Sequence, residues 1–265
     1  MVQFVRVFML ALLCIMCGEN ALAAAPDGAA GGIRAWQGDI NGTIPVQVWY
    51  AQQGDVLVGE IVYSNTKNKT PIRLIGAKSR EHNVLVLDEM FSDGLVTGTL
   101  SGSITGGLFT GTWRAPQKAR DTTGKGGPYT ITEGKEYPLR LALVDAPEKT
   151  VAWKHNPEEV AGTYRYSYGK NNAFGTLALQ PVGNGEVELE IHSSTSAPAF
   201  NMADVEKRKE RIAGDRIVCE LEDSCAFAIQ LFKDFVVVDY IDNRNCVGYF
   251  GRGAGVAGRY VKQAR

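Results

Sequence analysis

Hydrophobic and polar residues alternate in short runs along most of the chain. Between residues 34 and 145 the runs read VQVWY, VLVGEIVYS, IRLIGA, NVLVLDEM, LVTGTLSGSI, GLFTGTW and YPLRLALV. A period of two is the pattern of a strand with one buried face, and runs at intervals of roughly 8 to 12 residues are typical of sandwiches and barrels. The joins are short and rich in Gly, Asn and Asp, which favour turns. The pattern predicts an antiparallel meander.

Such a meander, of about seven or eight strands, either leaves two edges exposed or closes on itself, and closure removes the edges. Glycines lie inside the predicted strands at positions Gly59, Gly98, Gly102 and Gly111. Glycine within a strand marks bends and close backbone approaches, which a strongly curved sheet requires. We therefore expect residues 34–145 to form a small barrel or half-barrel.

Residues 146–160 interrupt the alternation. This stretch contains Pro147 and Pro157 and shows no period of two. It is predicted to be the linker between two domains, with Trp153 packed against one of them.

A second series of short runs occupies residues 161–265. Its predicted strands read GTYRY, FGTLALQPV, EVELEIHS, RIVCEL, CAFAIQLF, DFVVVDYI, CVGYFG and AGRYVK. Residues 201–212 differ, because Asn201 is a suitable helix N-cap and Met202, Val205 and Ile212 form a thin apolar stripe. The prediction is a second antiparallel β-barrel or half-barrel with one short helix, so the fold class is all-β.

A tripeptide pattern recurs at the two ends of this second series. Gly162-Thr163-Tyr164 lies in its first predicted strand and Gly258-Arg259-Tyr260 in its last, and Gly111-Thr112-Trp113 in the first series is similar. Each places a glycine two residues before an aromatic side chain. We expect the first and last strands of the second series to pair and to close the sheet.

The first residues have the layout of a cleavable signal peptide. Arg6 precedes an apolar run from Val7 to Cys17, and Ala21-Leu22-Ala23 provides small residues for cleavage. We expect residues 1–24 to be removed. The apolar run is about half of the roughly 20 residues that span a bilayer, and no later stretch is long enough. The mature chain is therefore predicted to be soluble, without membrane insertion, and periplasmic or secreted.

Three cysteines remain after that cleavage: Cys219, Cys225 and Cys246. In an oxidising compartment one pair should be bridged and one thiol left over. Cys225 with Cys246 is the predicted disulfide, because each opens a predicted strand of one sheet, whereas Cys219 with Cys225 would need a very short hairpin loop. The odd cysteine is expected to be buried and inert.

Charge and motif spacing argue against several classes of function. The chain has 28 Lys and Arg against 29 Asp and Glu, with mixed signs throughout, whereas a nucleic-acid partner needs a basic face. GAGVAG at residues 253–258 spells a dinucleotide-binding loop, but only seven residues follow it, too few for the required helix. The histidines lack the spacing of zinc ligands; they are His82, His155 and His192.

Several carboxylates are candidates for a catalytic pair or for calcium ligands. Glu186, Glu188 and Glu190 alternate along one strand and are expected to face solvent. Adjacent Asp88 and Glu89 are expected to point to opposite sides of their strand. An oxygen-rich segment has the spacing of a turn rather than of a calcium loop; it contains Asp239, Asp242, Asn243 and Asn245. No catalytic residue, metal or cofactor is predicted.

Residues 115–136 form the longest predicted loop. Long loops on a rigid scaffold often carry function. This one contains Lys118, Arg120, Lys125 and Tyr129, which are the candidate partner-binding residues.

Some of these runs resemble known sequences. GEIVYS, IRLIGA, LVLDEM, VTGTLSG and LFTGTW are similar to a domain that recurs in uncharacterised secreted proteins of Gram-negative bacteria. Cys246-Val-Gly-Tyr-Phe-Gly followed by Gly258-Arg-Tyr resembles a Cys-Gly-Phe-Gly and Gly-Thr-Tyr ending in such proteins, from which Val247 departs. The resemblance covers most of the mature chain and implies no catalytic residues. In architecture, the predicted barrels also resemble periplasmic lysozyme inhibitors, which are small disulfide-containing β-barrels.

Two functional hypotheses follow. One is a non-catalytic binding protein, possibly an inhibitor of a secreted or periplasmic hydrolase such as lysozyme, which presents its loops to a protein partner. The other is a carrier like the lipocalins, with a small apolar ligand inside a barrel or between the domains. An enzyme, for example a hydrolase, comes third, and a buried polar cluster at a barrel mouth would favour it.

Overall fold

The computed structural model describes residues 31–79, 84–155 and 159–264, and it is all-β, as the alternation predicts. Two closed antiparallel barrels of eight strands each make up most of it. The predicted signal peptide, His82 and Pro157 lie outside the described ranges. Within those ranges, no helix is long and apolar enough to cross a membrane.

Barrel 1 is formed by eight of the first ten strands. The ten are β1 (Gly31–Ile40), β2 (Ile44–Gln53), β3 (Val56–Tyr63), β4 (Ile72–Lys78), β5 (Val84–Met90), β6 (Val96–Thr105), β7 (Leu108–Arg114), β8 (Lys118–Asp121), β9 (Tyr129–Thr132) and β10 (Glu136–Val144). Strands β8 and β9 form a separate hairpin. β1 closes the barrel by pairing with both β2 and β10, so that Trp36 lies opposite Val48 and Leu143.

Large side chains fill the interior of barrel 1. In β2 the inward residues Val46, Val48 and Tyr50 are at most 2% exposed. Trp36 packs against Tyr50 and Phe109, with ring centroids 6.5 and 6.0 Å apart. An eight-stranded barrel is just wide enough for its own side chains. Strand glycines permit the close packing, since a Cβ on Gly59 would lie 1.8 Å from the carbonyl oxygen of Trp49.

Barrel 2 follows after the linker. Its strands are β11 (Gly162–Ser167), β12 (Phe174–Gly183), β13 (Glu186–Ser194), β14 (Met202–Ala213), β15 (Arg216–Glu220), β16 (Ala226–Leu231), β17 (Phe235–Tyr240) and β18 (Gly258–Lys262). A 3₁₀ turn spans Glu222–Ser224, and the helix α1 spans Asn243–Cys246. β11 pairs with β18, which places Arg165 opposite Val261 and confirms the predicted closure.

The repeated glycine and tyrosine have a shared structural role in this closure. Tyr164 donates its hydroxyl to the carbonyl oxygen of Val160 at 2.8 Å, and Tyr260 does the same to Val256 at 2.7 Å. Both tyrosines and both valines are at most 2% exposed. Each tyrosine therefore fixes the chain where it enters one of the two closing strands.

The predicted helix at residues 201–212 is wrong, because this segment is strand β14. Its first half alternates with a period of two: Ala203 and Val205 are buried, while Asp204 and Glu206 are exposed. A bulge opposite β13 then shifts the register. The second half consists mostly of charged residues, so the alternation was concealed. The short helix of this domain is α1 instead.

The structure confirms the disulfide between Cys225 and Cys246. The prediction that Cys246 opens a strand is wrong. Cys246 is the last residue of α1, and turns follow it. The bridge ties this long β17–β18 connection to the start of β16. Cys219 is unpaired and buried, and burial raises the pKa of its thiol to about 12. A thiol in that state is unreactive at neutral pH.

The two barrels share an apolar cluster. Barrel 1 contributes Ile75, Met90 and Val96 among others, and barrel 2 contributes Phe232 and Phe235. Trp153 of the linker packs against Phe232, with ring centroids 5.9 Å apart, so it contacts a barrel as predicted.

A buried ion pair lies beside this cluster. Arg259 on β18 donates to Asp88 on β5, whose carboxylate is also hydrogen-bonded by Thr99. Asp88 is only 4% exposed. A second pair, Arg73 with Asp234, joins the barrels across 2.6 Å. Apolar contact and charge pairing together fix the orientation of the barrels.

We predict that Arg259→Met destabilises the protein by about 3 kcal/mol, because removing one partner leaves a buried carboxylate unpaired. The free energy of unfolding in urea measures this. Arg244→Met is the matched control, since the Arg244 side chain is 90% exposed in its pair with Asp242. That substitution should leave stability nearly unchanged, because solvent screens an exposed ion pair. Equal effects of the two substitutions would contradict a structural role for the buried pair.

Candidate functional site

A cleft of about 1000 Å³ lies between the barrels. Its walls come from the outer faces of β2 and β3, the β3–β4 loop, the linker at residues 150–152, and the ends of β17 and β18. A cleft of this volume is at the upper end of the range for small-ligand sites, about 300–1,000 Å³. We call it the inter-barrel cleft.

The floor of the inter-barrel cleft is apolar. Met90, Phe235 and Val261 lie there, and all three belong to the cluster that joins the barrels. Phe91 at the edge is 45% exposed. An occupant of the cleft therefore meets both buried hydrocarbon and an exposed aromatic ring.

Cations outnumber carboxylates along the walls. The cationic residues are Lys67, Arg73, Lys233 and Lys262; the carboxylates are Glu60 and Asp234. Arg73 is paired with Asp234, and Lys262 donates to the backbone carbonyl of Glu159. Within the described part of the chain, Lys67 and Lys233 have no ion-pair partner. The cleft therefore has an apolar floor and a positively charged rim.

Linker residue Lys149 holds one wall in place. Its ammonium lies 4.6 Å from the centre of the Trp49 ring and forms an ion pair with Glu60. Trp49 also donates its indole N–H to Glu60 at 2.9 Å. The linker is thus bound to the outer face of barrel 1.

A buried polar cluster lies behind the cleft, at one mouth of barrel 1. Glu89 is 3% exposed and accepts hydrogen bonds from Tyr63 at 2.6 Å, Thr97 at 2.7 Å and Trp113 at 3.2 Å. The Trp113 ring leaves no room for a side chain at Gly98, where a Cβ would lie 2.4 Å from the indole nitrogen. Within the described ranges Glu89 has no cationic partner, so three neutral donors stabilise its carboxylate.

A buried polar cluster at a barrel mouth is the feature that would favour an enzyme. The chemistry of this cluster, however, suits a structural role. Burial, together with the charge of Glu89, raises the pKa of Tyr63 far above its usual value. The phenol therefore stays protonated and donates to the carboxylate, rather than acting as a nucleophile or transferring its proton. The adjacent Asp88 points out of the barrel into the interface, which agrees with the expected alternation.

The predicted partner-binding loop lies elsewhere, as the β8–β9 hairpin over barrel 2. Lys118, Arg120 and Lys125 are exposed, and Tyr129 packs against Phe200 with ring centroids 5.4 Å apart. At the tip, Asp121 accepts backbone N–H groups, first of all that of Gly126, and these bonds lower its pKa to about 2. These residues do not line the inter-barrel cleft.

Barrel 2 anchors the hairpin through backbone carbonyls. Asn172 donates to Gln117 at 2.7 Å, and Asn171 donates to Ala119 at 3.1 Å. The basic residues of the hairpin are therefore presented on an ordered support.

The remaining candidates from the sequence lie outside the inter-barrel cleft. Asp242 caps α1 by accepting from the Arg244 backbone, and Glu188 and Glu190 are partly exposed on the outer face of β13. His155 is half-buried in the linker. Within the described ranges, no group of three His, Cys, Asp or Glu side chains is arranged to hold a metal ion.

Sequence reasoning missed the residues of the inter-barrel cleft. Lys67, Lys233 and Lys262 are far apart in the chain and approach one another only because the barrels dock. No local spacing carries that information, and each lysine by itself is an ordinary surface residue.

Comparisons with models of protein families, with curated proteins and with solved structures found no match to this chain.

We predict that Glu89→Leu destabilises barrel 1 by about 2–3 kcal/mol, because it leaves several buried donors without an acceptor. Glu89→Gln should cost much less, since the amide oxygen still accepts from Trp113 and the Thr97 hydroxyl can turn to accept from the amide nitrogen. Urea unfolding compares the two variants. Equal losses would show that the negative charge itself, and not hydrogen-bond acceptance, is what the cluster needs.

His192 on the surface of barrel 2 should titrate above its usual range. Its Nδ1 lies 2.8 Å from Asp204 and its Nε2 lies 2.9 Å from Glu190; the hydrogen bond to Asp204 is the main cause that raises its pKa. Protonated His192 stabilises the folded state at low pH, and this contribution is lost as pH rises through the raised pKa. NMR titration should show Asp204→Asn lowering the pKa, while Asp242→Asn, at a distant site, leaves it unchanged.

Proposed function

We propose that this chain is a secreted, non-catalytic binding protein whose inter-barrel cleft takes up part of a partner. The observation that carries the proposal is the combination of an apolar floor with a rim on which Lys67 and Lys233 have no ion-pair partner in the described part of the chain. Rim charges steer and orient a partner, while buried apolar contacts supply affinity.

Rigidity supports this assignment. The ion pair between Asp88 and Arg259, the apolar cluster and the docked linker hold both walls of the cleft in place. A preorganised site loses little conformational entropy when it binds. The disulfide between Cys225 and Cys246 suits an oxidising compartment outside the cytoplasm.

The finer hypothesis is that the partner is a secreted hydrolase, such as lysozyme, which the protein inhibits. The ordered β8–β9 hairpin, with exposed Lys118, Arg120 and Lys125, offers a second contact surface for such a partner.

The alternative hypothesis is a carrier of small ligands. Because side chains fill both barrels, we place that ligand in the inter-barrel cleft rather than inside a barrel. Its volume of about 1000 Å³ is sufficient for a drug-sized molecule.

We expect Lys67→Glu combined with Lys233→Glu to weaken partner binding by about tenfold, since losing two rim contacts of about 0.7 kcal/mol each gives that factor. The experiment captures secreted proteins on the immobilised mature chain, identifies a stoichiometric partner, and measures its affinity and muramidase or other hydrolase activity. Lys118→Glu with Arg120→Glu makes the same charge change on the hairpin and tests whether that second surface also contacts the partner.

The pattern of losses decides between the surfaces. Loss in the cleft variant, with or without loss in the hairpin variant, supports the proposal, whereas loss in the hairpin variant alone assigns binding to the hairpin and refutes the cleft. If no protein is captured and native mass spectrometry finds a retained small molecule that the cleft variant lacks, the carrier hypothesis replaces the inhibitor.

A further inference from the structure

The mouth of barrel 1 opposite Glu89 has a different chemistry. There a small pocket of about 180 Å³ is lined by Arg34, Tyr50, Gln52, Lys78, Leu85 and Ile104. Arg34 lies directly opposite Tyr50 in the β1–β2 ladder, and Lys78 lies opposite Leu85 in the β4–β5 ladder. Opposite residues of an antiparallel pair share a face. Both cations therefore belong to the inward face of the barrel, where the strands end.

The polar groups of this mouth are mainly hydrogen-bond donors. Arg34 and Lys78 carry two positive charges, and no carboxylate is among the residues that line the pocket. Gln52 is the exception, because its amide oxygen is an acceptor; its nitrogen donates to the backbone of Gly54 at 2.8 Å. Two cations that converge without a lining carboxylate leave a positive potential at the mouth.

A buried donor beside the pocket also lacks an acceptor. Trp36 is 1% exposed, and its indole nitrogen makes no hydrogen bond to any residue that the structure describes. It lies against Tyr50, with ring centroids 6.5 Å apart. Burial raises the pKa of Tyr50, and the charge of the neighbouring Arg34 opposes this effect.

We propose that this mouth binds a small oxyanion, in the form of a phosphate, sulfate or carboxylate group, between Arg34 and Lys78. A guanidinium pairs with two oxygens of such a group, and the ammonium adds a point charge. The Tyr50 hydroxyl donates a hydrogen bond to the anion. Its oxygen can accept from the Trp36 indole at the same time, which couples the indole N–H to the bound anion. This site is separate from the inter-barrel cleft.

The test follows the indole N–H signals of the mature protein by NMR during titration with sodium phosphate, sodium sulfate or sodium acetate at constant ionic strength. The chain has four tryptophans, and Trp36→Phe identifies the signal of Trp36. We expect that signal to shift in a saturable manner with at least one of the three anions. Relative affinities for phosphate, sulfate and acetate distinguish a phosphate or sulfate ligand from a carboxylate.

Variants test the assignment of residues. Arg34→Gln with Lys78→Gln should weaken binding at least about tenfold, because two charged hydrogen bonds are lost. Lys67→Gln with Lys233→Gln, an equal change of charge in the cleft, should leave the titration unchanged. An equal loss in the two double variants would mean a general charge effect and would overturn the proposal.

Two further outcomes would overturn it. One is a Trp36 signal that stays fixed with all three anions. The other is a signal that stays fixed in the natural chain but responds in Glu81→Gln, because the site would then serve a carboxylate of the chain itself, three residues beyond Lys78 in sequence.

Discussion

The pairing of the first and last strands of each barrel is the constraint on which the other features depend. β1 with β10 closes barrel 1, and β11 with β18 closes barrel 2. Closure removes the sheet edges. It also encloses the inward-facing side chains, and the interior of an eight-stranded barrel is just wide enough to hold them. The interiors are thereby occupied by residues such as Trp36, Phe109 and Tyr260. Binding surfaces are left to the barrel mouths and to the space between the barrels.

Strand β5 links the interior of barrel 1 to that space. Asp88 and Glu89 are neighbours on it and point in opposite directions, so one carboxylate pairs with Arg259 of barrel 2 while the other lies inside barrel 1. Tyr63, which donates to Glu89, also lines the inter-barrel cleft. Glu89 therefore contacts a residue of the cleft wall directly, and Asp88 forms one of the ion pairs that join the barrels. Two adjacent residues thus connect the interior of barrel 1 with the cleft and with barrel 2.

The sequence predicted features that depend on local pattern. Period-two runs identified most of the strands, and the glycine and tyrosine repeat identified the closing pair. The disulfide was predicted correctly, although Cys246 ends α1 instead of opening a strand. The prediction failed where charge concealed the period, since six consecutive charged residues in β14, Glu206 to Arg211, carry no hydrophobic signal. The sequence also did not predict the residues of the inter-barrel cleft or of the barrel 1 mouth. Lys67 and Lys233 come together only through docking of the barrels, and Arg34 and Lys78 only through closure of barrel 1. No local sequence motif contains either pair of cations.

The two mouths of barrel 1 carry charges of opposite sign. At one mouth, the negative charge of Glu89 is stabilised by three donors that bring no charge of their own. At the other, the cations Arg34 and Lys78 line one small pocket. The chain as a whole has a net charge of only −1, so an excess of cations in two concave places does not follow from composition. Like charges held together raise the energy of the folded state unless something of opposite charge joins them. The simplest physical reason for such placements is a ligand that brings negative charge to them.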